Sequence, residues 1–249
     1  MKRKLKIIAT VILLAAVACR SVRAEYHDFY IMRRSGGKRP VLDSNLSYIP
    51  EHGGIYIGAD EPVIYLTFDA GYENGNVEKI VDTLDRYGIK GTFFVLENII
   101  RRNTDLIVKM AEHGHTVANH SARHKNMTNM TADECEMELL RLSSLYKELT
   151  GKTMSNYFRP PEGKCSKNLL DNVSALGYKT VFWSFAYADW DNMKQPDPEK
   201  AIKLILDNTH NGMIILLHPT SRTNAEILDR LIREWASRGY RFGTLDMIK

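Results

Sequence analysis

The stretch Val63-Ile64-Tyr65-Leu66-Thr67-Phe68-Asp69-Ala70-Gly71-Tyr72-Glu73-Asn74-Gly75 (VIYLTFDAGYENG) ends an uncharged, apolar run with a single acid, then turns on glycines. The run reads as a buried strand, because short apolar segments rich in β-branched and aromatic residues suit a sheet covered on both faces. The turn that follows contains Gly71 and Gly75, which let backbone approach a ligand closely. The question is why such a strand delivers one carboxylate, Asp69, at its end.

The same unit repeats along the chain. GTFFVL (91–96), HTVANH (115–120), YFRP (157–160), YKTVFW (178–183), MIILLH (213–218) and YRFGTL (240–245) are further short apolar runs. Longer amphipathic segments separate them, and Gly88, Gly114, Gly177, Gly212 and Gly239 stand where those segments stop. Glycine just past a helix end supplies the left-handed cap at little steric cost. Seven short strands alternating with six helices predict an α/β fold with a parallel sheet and helical crossovers. At this length a (β/α) barrel of seven or eight units is the leading closure, and an open doubly wound sheet is second.

Composition narrows the class without naming a function. The chain has 249 residues, 44% of them hydrophobic, and a formal net charge of +4, which excludes a disordered or collagen-like protein. Mild positive charge suits an anionic polymer such as cell wall without requiring one. Past the first few residues no basic run marks a nucleic-acid partner. MKRKLK, the apolar IIATVILLAAVA and then Val22-Arg23-Ala24 read as a secretory signal over residues 1–24, cleaved near Ala24, so the protein is expected to be exported. Retention as a membrane anchor, or lipidation at Cys19, stay open. Residues 25–60 read as a polar leader segment, and 61–249 as the main domain. Cys135 and Cys165 read as ordinary thiols, with a single disulfide still possible.

In parallel α/β folds chemistry gathers beyond the C-terminal ends of strands. Here five strand ends carry ionisable residues: Asp69, then His120 and His124, then Arg159, then Asp189 with Trp190 beside it, then His218. His120 and His124, four apart, would stack on one face if helical and could share a divalent metal. Each residue also has a plainer reading. Asp69 could cap a turn, Arg159 could be a structural ion-pairing residue, His218 could be a satisfied core histidine, and Trp190 could be core. Five such residues on one rim are hard to explain as packing. On that rim Asp69 is placed as a general base and Arg159 as its tether. His218 is placed as a general acid with Asp189 orienting its ring, and the Trp190 face suits a sugar.

With these groups in hand the chain resembles the NodB-homology polysaccharide deacetylases of carbohydrate esterase family four. TFDAG, HSARH, RPPEG, ADW (188–190) and LLH (216–218) match that family's five motifs in order, from about Glu61 to the C-terminus. TFDAGYENGN, KGTFFVL and FWSFAYADWD are similar to the branch of δ-lactam-forming muramic acid deacetylases of spore formers. The resemblance implies a distorted barrel and removal of the N-acetyl group from N-acetylmuramic acid in cortex peptidoglycan, after an amidase has stripped the peptide. It implies Asp69 as base, His120 and His124 as metal ligands, Arg159 as tether and His218 as acid tuned by Asp189. Trp190 and Leu216 would line the acetyl pocket. A backbone N–H after Pro160-Pro161, near Glu162, would hold the oxyanion, and Tyr72, Pro161 and Glu162 would border the substrate. One position departs: Ala70 replaces an Asp that relatives use as a metal ligand. A divalent metal, zinc by the imidazole donors but with other ions open, would then be weakly held, recruit another group such as Asn74 or Glu73, or be absent. The alternatives are a deacetylase of N-acetylglucosamine in peptidoglycan or chitin-like oligomers, a glycan-binding protein without catalysis, and a structural wall protein.

Overall fold

A computed structural model describes residues 26–248; the expected signal segment, with Cys19, lies outside the described residues. The strands are β1 (His27–Asp28), β2 (Val63–Ala70), β3 (Thr92–Val95), β4 (Thr116–Asn119), β5 (Tyr157–Phe158), β6 (Lys164–Cys165), β7 (Lys179–Thr180), β8 (Met213–Leu217) and β9 (Arg241–Gly243). The α-helices are α1 (Tyr48–Glu51), α2 (Val77–Arg86), α3 (Glu97–Arg102), α4 (Thr104–Glu112), α5 (Ala132–Thr150), α6 (Lys167–Ala175), α7 (Pro198–Asp207) and α8 (Arg222–Ser237).

The parallel sheet with helical crossovers is the architecture observed. Seven strands form it in the order β7-β5-β4-β3-β2-β8, with β9 also on β2. A strand has two edges, and β2 uses both fully. β8 runs along Ile64–Phe68, while the other edge is divided between β9 at Val63–Tyr65 and β3 at Thr67–Ala70. Residues 179–185 close the gap between the ends of the sheet. They bond β5 through Val181 N to Phe158 O (2.8 Å) and β8 through Ser184 N to Ile214 O (2.9 Å). The result is a distorted barrel, closed by one irregular segment in place of a full strand.

Alternation along β2 decides what faces where, since successive side chains point to opposite faces. Ile64, Leu66, Phe68 and Ala70 pack in the large core beneath the helices. Val63 and Tyr65 fill the barrel interior with Phe94, Ala118, Tyr157, Val181, Ile214 and Leu245. Thr67 and Asp69 continue that interior row toward the strand's C-terminal end, so the carboxylate tops a filled barrel.

The leader, whose sequence shows no sustained period, carries structure of its own. β1 pairs antiparallel with β6, and Phe29, Leu46, Tyr48 and Ile49 pack with Cys165, Leu170 and Phe182. These elements are too short for periodicity to reveal. Cys135 and Cys165 are both free and buried, in different clusters. No helix among the described residues is long and apolar enough to cross a membrane.

Two of the expected helix-ending glycines separate strain from space. Gly177 has φ +81° with nothing within 4 Å of a would-be Cβ, whereas at Gly212 (φ +68°) a Cβ would lie 2.3 Å from Ala59 O and 2.6 Å from Gly58 O. Gly177→Ala should cost about 1–2 kcal/mol, the left-handed penalty alone. Gly212→Ala should cost more than about 3 kcal/mol, since strain is joined by a backbone collision that cannot relax locally. Chemical denaturation of the two variants checks the difference; equal losses would refute it.

Candidate active site

Arg159, the residue after β5, is fully buried and spends its donors on four fixed acceptors. Its Nη1 donates to Asp69 Oδ1 (2.8 Å), Nη2 to Thr67 Oγ1 (2.9 Å) and Phe182 O (3.1 Å), and Nε to Val181 O (3.1 Å). The guanidinium carbon lies 4.2 Å from the centroid of the Phe94 ring. Thr67 passes its own proton to Ile215 O (2.7 Å), so its oxygen is oriented to accept from Arg159. Burial alone would raise the Asp69 carboxyl; the charges of Arg159, His120 and His218 outweigh it and hold the group below its ordinary value. Asp69 is therefore ionised at neutral pH, with Oδ2 not engaged by Arg159.

That second oxygen faces His120. His120 Nδ1–H donates to Arg159 O (2.8 Å), which fixes the tautomer and leaves Nε2 as a lone pair 3.6 Å from Asp69 Oδ2. Burial is the largest influence on His120 and brings its pKa down to about 4, so the ring is neutral above that pH. The His124 ring centroid lies 5.0 Å away at 71°. The pair does not stand on a helix, as its four-residue spacing suggested. Residues 120–124 form a loop in which Ser121 (φ +65°) and His124 (φ +56°) are left-handed. Asn119 Oδ1 accepts from Ser121 N, Ser121 Oγ from His124 N (2.9 Å each), and Glu138 Oε1 from Arg123 N (3.0 Å). These bonds bring the two rings together without helical stacking.

Across the mouth, β8 repeats the alternation of β2: Ile214 faces the barrel interior, then Leu216, then His218 just past the strand end. His218 Nδ1–H donates to Asp189 Oδ1 (2.7 Å) and its backbone N–H to Asp189 Oδ2 (2.8 Å). Burial would lower the His218 pKa; Asp189, by hydrogen bond and charge, and then Asp69 outweigh it and raise it above the ordinary histidine value.

The remaining expected residues border this mouth in different ways. Trp190 is 62% exposed, so it is not core, and its rings lie 6.3 Å from His218. Tyr72 is 44% exposed and accepts from Asn192 Nδ2, linking the turn after β2 to the loop after Asp189. Leu216 is 5% exposed and Pro161 is buried. Glu162 is left-handed (φ +57°) and pairs with Lys164, which holds its carboxyl below the ordinary value. His124 adds to that lowering, so the Glu162 side chain is near it.

Among the described residues no group of three or more His, Cys, Asp or Glu is arranged to hold a metal. His120 Nε2 has the right chemistry and His124 is its neighbour, but Ala70 lies within the helix-side core and offers nothing. Nor are the other two suggested donors aimed at the histidines: Asn74 Nδ2 donates to Thr220 O and Glu73 accepts from Gly75 N and Glu78 N. The protein thus falls one ligand short of the three usual at a catalytic zinc. Sequence reasoning missed Thr67, Asn119, Glu138 and Asn224, which orient the ionisable groups. Thr67 could have been found from the two-residue period shared with Asp69; the others come from distant segments.

A family profile described as polysaccharide deacetylase matches residues 57–181. The peptidoglycan-N-acetylmuramic acid deacetylase PdaA of Bacillus subtilis is 40% identical over 201 residues, covering 80% of this chain and 76% of that one. The solved structure of Bacillus subtilis PdaA, a family 4 carbohydrate esterase, superposes with a TM-score of 0.86 at 37% identity, covering 90% of this chain and 97% of that one. The peptidoglycan-N-acetylglucosamine deacetylase PgdA of Listeria monocytogenes is 31% identical over 183 residues, 74% of this chain and 38% of that protein. With the five strand-end motifs gathered at one barrel mouth, the chain belongs to the polysaccharide deacetylase family, the family 4 carbohydrate esterases.

Proposed function

We propose that this protein removes the N-acetyl group from N-acetylmuramic acid in peptidoglycan by general base and general acid catalysis at the Asp69–His218 mouth. The observation that carries the chemistry is the opposed placement of two groups on one rim: Asp69 bonded to Arg159, which favours its ionised form, and His218 bonded to Asp189, which favours its protonated form. Asp69 Oδ2 takes a proton from the attacking water, and His218 Nε2–H delivers one to the departing amine. Exposed Trp190 and Tyr72 offer apolar faces to the sugar. The choice of muramic acid is supported by the 40% relative of that name. The finer setting, a spore cortex in which a stripped muramic acid proceeds to the δ-lactam, rests on the TFDAGYENGN resemblance. Export through the signal read in residues 1–24 fits an extracytoplasmic substrate.

A metal belongs to the family pattern, and His120 with His124 would hold it here, as a Lewis acid for the amide carbonyl. Only two imidazoles match the usual set, and both proton transfers are carried by Asp69 and His218. The deciding experiment incubates the chain from Glu25 with peptide-stripped peptidoglycan glycan and follows acetate by mass spectrometry. Release from muramic acid is expected; release from N-acetylglucosamine oligomers alone would transfer the reading to that substrate, and silence on both would end it.

Three further outcomes follow from the geometry. Asp69→Asn should lower kcat by about 10²–10⁴-fold while glycan binding survives; equal loss of binding would make Asp69 a binding group instead. Because the Asp69 pKa is depressed, the base stays competent well into acid. Because that of His218 is raised, the acid keeps its proton to higher pH than an ordinary histidine and activity falls on the alkaline side. Asp189→Asn should bring that alkaline limb down toward about 6.5, the value of an unassisted histidine; an unmoved limb in the kcat/KM profile would remove His218 as the acid. Finally, a site one donor short should lose its metal on dialysis without chelator, as read by elemental analysis; stoichiometric retention would mean that a third protein ligand exists.

A further inference from the structure

Asp189 is itself held. Asn224, in the first turn of α8 and 1% exposed, donates from Nδ2 to Asp189 Oδ2 (2.6 Å) and to His218 O (3.0 Å). Its Oδ1 accepts from the hydroxyl of Tyr187 (2.5 Å), which is also buried. The amide cannot be the other way round: a carboxylate and a carbonyl only accept, so the NH₂ must face them, and the hydroxyl is left to donate to Oδ1. Burial and the charge of Asp189 push the Tyr187 pKa far up, so it keeps its proton. The chain of bonds therefore runs in one direction, Tyr187 to Asn224 to Asp189, with the ring of His218 held at its far end.

The same helix start holds the whole loop. Gln195 Oε1 accepts from Ser221 Oγ (2.7 Å) and Thr223 N (3.1 Å), and Pro196 O accepts from Thr223 Oγ1 (2.7 Å). Thus the loop that carries Asp189, Trp190 and Asn192 is fixed at both ends to the start of α8. Without Asn224, one lone pair of Asp189 and the Tyr187 hydroxyl would be buried without their partner, and the carboxylate could turn about its remaining bonds to His218.

We infer that Asn224 is a positioning residue for catalysis, which with Tyr187 fixes the Asp189 carboxylate so that the His218 ring presents its Nε2 to the leaving group. This rests on the deacetylase reading for its kinetic consequence but not for the hydrogen-bond chain itself. The charged groups facing His218 are Asp189, Asp69 on β2 and Arg159 after β5; Tyr187 is the other titratable group on the chain of bonds.

The test uses Asn224→Ala, Asn224→Asp and Tyr187→Phe in the chain from Glu25, each checked for an intact thermal transition. Asn224→Ala should lower kcat about 10–100-fold, the usual effect of losing an outer orienting partner, with KM within about twofold. Tyr187→Phe should lower it less, and add little in the double variant, because both act through one carboxylate. Asn224→Asp carries the discriminating signature. Its new carboxyl would lie against Asp189, and two such groups share one proton. While protonated it donates as the amide did; once ionised it repels Asp189. Its activity should therefore fall with rising pH along a limb absent from the parent protein, whereas Asn224→Ala is low throughout. A merely structural residue would give no such limb.

A second readout does not need turnover. In ¹⁵N spectra the imidazole of His218 should be a single Nδ1–H tautomer in the parent when neutral, and a mixture in Asn224→Ala. Unchanged kcat in both Asn224 variants, a loss confined to KM, or an unaltered His218 spectrum would each overturn the inference. Should the parent chain release no acetate from any glycan, the deacetylase reading fails, and the spectrum still decides the positioning role.

Discussion

Everything at this barrel mouth depends on one buried cation. A guanidinium removed from water costs several kcal/mol unless its donors are met, and Arg159 meets them by drawing together segments distant in the chain. Asp69 and Thr67 come from β2, the Val181 and Phe182 carbonyls from the closing segment, and the Phe94 face from β3. The barrel closes with few regular bridges between residues 179–185 and their neighbours. The Arg159 bonds supply part of what a full strand would have provided. Closure of the fold and ionisation of Asp69 are thus served by the same contact.

The Asp189–His218 side of the mouth uses a different device. Asp189 is as buried as Arg159 is, but it faces an imidazole and an amide. Asp69 is held anionic by a cation that never releases its proton; Asp189 is bonded to a ring that can gain and lose one. Two carboxylates on one rim are thereby given unlike surroundings by their partners alone, and those surroundings push Asp69 and His218 in opposite directions.

Much of this was legible in the sequence, for physical reasons. Runs such as VIYLTF and MIILL have a composition that only a doubly covered strand accommodates, so the parallel sheet and its functional end could be read directly. The ionisable residues were visible because each interrupts an apolar run. What was not legible lies where local pattern carries no information. HSARH has helical spacing, yet Asn119 and Ser121 capture the backbone N–H groups that a helix would use, and the segment turns as a loop. β1 and α1 are too short to show a period. Asn224 looks like an ordinary helix-start residue until Asp189, 35 positions earlier, is placed against it.

The strained residues point the same way as the charges. Among the described residues the non-glycine positions with positive φ are Ser121, His124 and Glu162, and all three lie around the His120–His124 pair. Each costs about 1–2 kcal/mol in conformation, an expense that elsewhere falls on glycines. Left-handed backbone persists at such positions only where surrounding bonds impose it, and here Asn119, Ser121 and Glu138 do so for the loop. The loop backbone is thus tied down by side chains of its own segment and by Glu138 of α5. The two imidazole rings are thus set 5.0 Å apart without any part played by Ala70, whose side chain packs in the core. Strain and hydrogen bonds thereby fall on the same few residues, which is why the segment departs from the helix that its spacing suggests.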